Sequence, residues 1–155
     1  MIRVQSEDFD VGAEIERLTA GRTDLGAIVS FTGTVRDQAG GEQISEMTLE
    51  HYPGMTEAEL ARVETQTRER WPLAASLIIH RFGRLEPGDR IVLVITASAH
   101  RSAAFEAAEF LMDYLKTNAP FWKREVSEAG SRWVEAKNSD DDKAARWADS
   151  KSDAT

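Results

Sequence analysis

The stretch Ser76-Leu77-Ile78-Ile79-His80-Arg81-Phe82-Gly83-Arg84-Leu85, then Glu86-Pro87-Gly88-Asp89, then Arg90-Ile91-Val92-Leu93-Val94-Ile95-Thr96-Ala97-Ser98, reads as two β-rich runs around a turn. Branched and aromatic side chains suit a pleated surface, and Pro at the second turn position presets φ for a reversal. This predicts a β-hairpin. The period changes after Ser98. Between Ser102 and Thr117, the residues Phe105, Ala108, Leu111 and Leu115 share one helical face, which Ala104, Ala107 and Tyr114 broaden, until Pro120 forbids continuation.

Working outward, Ile2 to Gln5 alternate as a short strand, and Val11, Ile15 and Leu18 recur at helical spacing before Gly21. Gly26 to Val35 reads as a strand running into a mobile polar loop, Asp37 to Gln43. A strand from Ile44 to Tyr52 follows. Pro53 then suits the first turn of a helix through about Trp71, with Glu64 and Arg68 paired at i, i+4. Phe121 to Val126 and Arg132 to Ala136 read as two short strands around Glu128-Ala129-Gly130. This order predicts an α+β fold, an antiparallel or mixed sheet with helices packed on one face in the ferredoxin-like or split βαβ style. Residues 1–137 form the expected single domain. Residues 138–155 turn polar and charged, with Trp147 the only large apolar side chain, and predict a flexible tail with at most one docked turn.

The 155 residues suit one domain with one sizeable core. Acidic residues outnumber basic ones 27 to 19, and the resulting formal charge of -8 argues against broad contact with nucleic acid or acidic membranes. Local basic clusters are therefore the informative ones. Zero cysteines exclude disulfides, thiolate metal sites and covalent chemistry on a cysteine of this chain, and fit a reducing cytoplasm. No apolar run approaches the length of a membrane span, and the first ten residues lack a signal-peptide core. Histidines 51, 80 and 100 show no metal-ligand spacing, so neither a metal nor a resident cofactor is expected.

The stretch Ser98-Ala99-His100-Arg101-Ser102 places two basic residues where strand gives way to helix. Unpaired N–H groups and the helix dipole favour an anion there, and a phosphate fits. Ser98 or Ser102 as a plain N-cap beside two solvated side chains is the bland alternative. At the other end Lys116 occupies the last helical turn, which the dipole alone favours, and Lys123 follows seven residues later. Alternation in Phe121-Trp122-Lys123-Arg124-Glu125 puts Phe121, Lys123 and Glu125 on one face and Trp122 and Arg124 on the other. A lysine among aromatics can serve proton transfer, and an ordinary surface lysine fits equally. Thr34-Val35-Arg36 ends a strand just before the glycine-bearing loop, a position for a binding arginine or an exposed one.

Four segments together resemble one family: Phe31-Thr32-Gly33-Thr34-Val35-Arg36, Leu49-Glu50-His51-Tyr52-Pro53-Gly54-Met55, Ser98-Ala99-His100-Arg101-Ser102, and Met112-Asp113-Tyr114-Leu115-Lys116 with Pro120-Phe121-Trp122-Lys123-Arg124-Glu125. They resemble the large, catalytic subunit of molybdopterin synthase, in order over about Ile2 to Lys137. The resemblance implies an α/β hammerhead-type fold and a sulfurtransferase. It implies a homodimer within a heterotetramer, with a small ubiquitin-like sulfur-carrier subunit inserting its C-terminal Gly-Gly thiocarboxylate at each end. The substrate would be cyclic pyranopterin monophosphate (precursor Z), and the product the molybdopterin dithiolene. The resemblance implies that the sulfur arrives on the partner, which would account for the absence of cysteine here. Carried over by position, Arg36, His100 and Arg101 resemble substrate-anion binders and Lys116 and Lys123 the catalytic lysines. Thr34, Val35, Arg124 and Glu125 line the implied pocket. Lys137 stands where the family implies an arginine reaching the other large subunit's site. A module that binds a phosphorylated ligand without catalysis, or an interaction protein using the Trp122 and Trp133 strands, are the competing readings.

Overall fold

Leu77, Ile78 and Ile79 are consecutive and each at most 1% exposed, which a strand achieves only when both of its faces are covered. A computed structural model describes residues 1–134 and 145–148. The elements are β1 (Ile2–Gln5), α1 (Val11–Thr19), β2 (Ala27–Thr34), β3 (Gln38–Ala39), β4 (Glu42–His51), α2 (Met55–Arg70), β5 (Leu73–Arg81), β6 (Gly83–Leu85), β7 (Arg90–Ser98), α3 (Arg101–Thr117), β8 (Phe121–Ser127) and β9 (Gly130–Val134). The α+β class holds, with two sheets where the sequence suggested one.

The first sheet has the order β1-β5-β7-β2, with β1 parallel to β5 and the other pairs antiparallel. Leu77 and Ile79 of β5 and Leu93 and Ile95 of β7 share one face, where Phe9 and the α1 residues Val11, Ile15 and Leu18 pack on them. Asp10 starts α1 by accepting the Ala13 N–H at 2.9 Å. The alternate residues Ile78, Val92 and Val94 face Leu60 and Val63 of α2 and Phe110, Leu111 and Leu115 of α3. The helices therefore cover both faces, a correction to the expectation of one. A second correction concerns α3. Phe105 is 61% exposed, whereas Ala104, Ala107, Ala108, Leu111 and Leu115 are buried as expected, with Phe110 beside them.

The expected hairpin exists only in part. β5 and β7 pair, but the first run ends at Arg81. Gly83, at φ 91°, then redirects the chain, and Gly83 to Leu85 pair with Leu49 to Met47 of β4 in the second sheet. The turn chemistry does hold, since Asp89 N–H donates to the Glu86 carbonyl and the Asp89 carboxylate accepts the Glu86 N–H, both at 2.9 Å. The second sheet runs β3-β4-β8-β9, with β6 along β4. The Asp37 to Gln43 stretch, expected as a mobile loop, contains the β3–β4 hairpin, turned by Gly40 and Gly41 at φ 61° and 81°. Pro53 falls outside α2, ahead of the Gly54 N-cap. Glu64 accepts from Ser76 Oγ at 2.8 Å and so faces β5 rather than Arg68.

Trp147 forms the docked turn. Its ring meets Trp71 at 5.5 Å and Phe110 at 5.6 Å, and its Nε1 donates to buried Asp113 at 2.7 Å. Ala136, Lys137 and the rest of the 138–155 tail outside Ala145 to Ala148 lie outside the described residues. Among the described residues no helix is long and apolar enough to cross a membrane.

Candidate active site

The break between α3 and β8 sets two lysines side by side. The Asn118 N–H donates to the Tyr114 carbonyl and the Phe121 N–H to the Ala119 carbonyl, both at 2.8 Å. From α2, the fully buried Thr56 hydroxyl donates to the Pro120 carbonyl at 3.1 Å. The last turn of α3 and the first residues of β8 are thereby held together, and Lys116 and Lys123 line one cavity of about 660 Å³. Arg36 lines it too. Its position follows from Val35, which is 3% exposed and fixed on both sides, its N–H donating to Asp89 O at 2.9 Å and its carbonyl accepting from Gly88 N–H at 2.8 Å. Met47, Leu49, Leu115, Phe121 and Trp133 supply apolar wall.

Alternation along β8 is as the sequence predicts. Lys123 Nζ stands 3.0 Å from Glu125 Oε1, and Arg132 of β9 approaches the other Glu125 oxygen at 3.9 Å. That oxygen is buried and has no hydrogen-bond partner, as is also true of Arg124 Nε. Thr34 is exposed at the end of β2.

His100 and Arg101 are elsewhere. His100 is the N-cap of α3 without a side-chain cap bond, so neither Ser98 nor Ser102 caps the helix; the Ser98 hydroxyl donates to Pro72 O at 2.8 Å instead. Both basic side chains are exposed. They precede Lys116 by most of a 17-residue helix, on the order of 22 Å at ~1.5 Å per residue. One chain therefore does not bring His100 and Arg101 together with Arg36, Lys116 and Lys123, the residues that the resemblance assigns to one site.

His80 is the cavity residue that the sequence did not single out. Its ring stacks on Phe121 with centroids 3.7 Å apart, and Nδ1 lies 2.9 Å from the Arg81 carbonyl. Burial pushes its pKa down to about 4, and the positive charge of Lys116 and of His51 acts in the same direction. The only signal in the sequence was one histidine in an apolar strand, which packing explains as readily.

Three cations around an apolar-walled cavity make a site for an anionic substrate, worked by lysine and arginine rather than by a thiol. The fold and the cavity thus define a small α+β chain with a cation-lined cavity. The family profile described as "MoaE protein" matches residues 4–118. The molybdopterin synthase catalytic subunit of Mesorhizobium japonicum is 57% identical over 151 residues, covering 96% of this chain and 94% of that one. Among solved structures, the molybdopterin biosynthesis MoaE protein from Burkholderia ambifaria superposes with a TM-score of 0.82 at 49% identity, over 96% of this chain and 97% of the other. A Helicobacter pylori chain, described in a protein–protein complex of subunits 1 and 2 of molybdopterin-converting factor, shares the fold at TM-score 0.69 and 20% identity, over 88% and 90% of the two chains. The chain belongs to the MoaE family, the catalytic subunits of molybdopterin synthase, enzymes of molybdenum cofactor biosynthesis.

Proposed function

We propose that the cavity receives the C-terminal thiocarboxylate of a small ubiquitin-like partner and passes its sulfur to cyclic pyranopterin monophosphate, with residues 1–137 as one catalytic domain acting in the cytoplasm. The observation that carries this reading is the convergence of Arg36, Lys116 and Lys123 on one cavity in a chain that has no cysteine. Sulfur leaving an acyl donor places negative charge on the acyl oxygen, and a preorganised ammonium in a dry pocket stabilises it. Opening of the substrate's cyclic phosphate needs proton transfer, which a second lysine supplies. Arg36 offers a planar fork for a phosphate oxygen pair. Thr34 and Val35 lead the chain to it; from β8 the cavity is lined by Phe121, Trp122 and Lys123, with Glu125 behind as the partner of Lys123, while Arg124 does not line it.

His100 and Arg101 act on the same substrate only if a second copy supplies them, which is the role of the homodimer in this reading. Phe105 supports that placement, since it is 61% exposed one turn beyond Arg101. The assembly would be two such chains with one small subunit at each end.

Single-turnover conversion of precursor Z by the thiocarboxylated partner tests the reading. Lys116→Ala and Lys123→Ala are each expected to abolish dithiolene formation while fold and partner binding persist. Near-normal conversion by both variants would sink it, and binding of precursor Z with no product from the unaltered chain would favour a plain ligand-binding module.

A further inference from the structure

Lys116 and Lys123 sit on opposite sides of Asn118-Ala119-Pro120, the break between α3 and β8. The backbone bonds made there are local, from the Asn118 N–H to the Tyr114 carbonyl and from the Phe121 N–H to the Ala119 carbonyl. Such bonds shape a turn without fixing where it lies on the rest of the fold. The corner His51-Tyr52-Pro53-Gly54-Met55 lies beside it, because His51 ends β4 opposite Phe121, the first residue of β8. Around that corner the Thr56 N–H donates to the Tyr52 carbonyl at 2.9 Å, and the Glu57 carboxylate accepts the Gly54 N–H at 2.6 Å. The Tyr52 N–H in turn donates to Thr56 Oγ1 at 3.1 Å. A backbone N–H only donates and a carbonyl only accepts, so the single hydroxyl proton of Thr56 is committed to Pro120, at 3.1 Å. The side chain is 0% exposed, and solvent cannot replace either partner.

We propose that Thr56 is a positioning residue for sulfur transfer, its hydroxyl a bracket that holds Pro120 and with it the spacing of Lys116 and Lys123 in the cavity. For the reaction it serves, this rests on the sulfur-transfer reading above, but the bracket itself does not. Pro120 is four residues beyond Lys116 and three before Lys123, so a shift of its carbonyl moves one lysine relative to the other. Tyr52 adds to the hold, its ring meeting Trp122 of β8 edge-on with centroids 4.2 Å apart. A misplacement on the order of 1 Å is enough to cost catalysis without any change in the reacting groups. Arg36 is outside the bracket, because Val35 is held by Asp89 and Gly88 instead. Substrate affinity and turnover are therefore separable.

The test compares Thr56→Val, which keeps the shape and removes the hydroxyl, with Thr56→Ser, which keeps the hydroxyl. Thr67→Val is the control, since Thr67 is equally buried on α2 and its hydroxyl donates to the Val63 carbonyl at 2.7 Å, inside the helix. The full chain is used with its thiocarboxylated partner and precursor Z. Thr56→Val is expected to slow single turnover at saturation about ten-fold or more, while affinity for precursor Z changes by less than about three-fold. Thr56→Ser recovers most of the rate. Thr67→Val lowers the melting temperature and turns over normally. A wild-type rate in Thr56→Val, or equal slowing in Thr56→Ser or in Thr67→Val, overturns the proposal. Thr56→Ala takes the place of Thr56→Val, with the same expectations, should that variant fail to fold. If the unaltered chain makes no dithiolene at all, the sulfur-transfer reading falls separately. Amide hydrogen exchange then still reads the bracket. Faster exchange at Asn118 and Phe121 in Thr56→Val, with protection restored in Thr56→Ser, supports it, and unchanged exchange in Thr56→Val overturns it.

Discussion

Lys123 and Glu125 stand two residues apart on β8 and meet at 3.0 Å, the carboxylate 3% exposed and the ammonium lining the cavity. A buried carboxylate persists only with partners, and this one holds Lys123 on one oxygen while Arg132 approaches the other. Glu125→Gln keeps the shape and removes the charge. Single-turnover dithiolene formation should fall on the order of ten-fold, with the partner still bound. An unaffected rate would show that Lys123 is aimed by something else.

Stability should depend on pH through His80. Its folded pKa of about 4 lies below the ordinary value of 6.5, so the unfolded chain takes up a proton first as pH falls. The stability this group contributes is complete above pH 6.5 and is lost as pH falls from there toward 4, by up to about 3 kcal/mol. Glu14, Glu59 and Asp8, whose pKa values are lowered below the usual carboxylate range, add their own loss at still lower pH. The difference in denaturant stability between the unaltered chain and His80→Phe isolates the histidine. That difference should change steeply between pH 6.5 and 4 and stay flat above.

Trp147 joins the described C-terminal turn to α2 and α3. Arg70 donates to its carbonyl at 3.0 Å, its Nε1 reaches Asp113, and Arg146 bridges Asp113 at 3.0 Å and Glu109 at 2.7 Å. Trp147→Ala should lower stability by about 1–3 kcal/mol, less than a fully buried tryptophan because the ring is half-exposed. Thermal unfolding reads this directly.

Gly26 has no room for a side chain. A Cβ there would stand 2.0 Å from the carbonyl oxygen of Ala99, and the Gly26 N–H donates to Ser98 O at 3.0 Å. Gly26→Ala therefore pushes β2 away from the residues that lead into His100 and Arg101. A loss of at least about 2 kcal/mol is expected, and a melting temperature equal to that of the unaltered chain would contradict the close approach.

The elements were legible in the sequence wherever one face was buried and the other wet, as along β8, where Lys123 and Glu125 emerged on the same side. They were harder to read where both faces are covered. Leu77-Ile78-Ile79 carries no period, so nothing in it said that α1 would lie on one side and α2 and α3 on the other. Phe105 misled for a related reason: helical spacing gives a face, but only packing says which residues lie at its centre. Arg36, Lys116 and Lys123 were visible as candidates, and their convergence was not, because it depends on the Thr56 bond to Pro120 and on pairing between distant strands. His80 carried no local mark of function, and the length of α3 was the one sequence-level clue that His100 and Lys116 would stand apart.

The chain leaves the first sheet immediately after His80 and Arg81 and enters the second at Gly83, so β5 and β6 are one covalent tie between two hydrogen-bonded layers. Neither layer can detach without dragging the other's strand, and the cavity floor sits at that tie. Heat should therefore melt both layers in a single cooperative event, and a break placed in the chain between Arg81 and Gly83 should cost binding of precursor Z before it costs secondary structure.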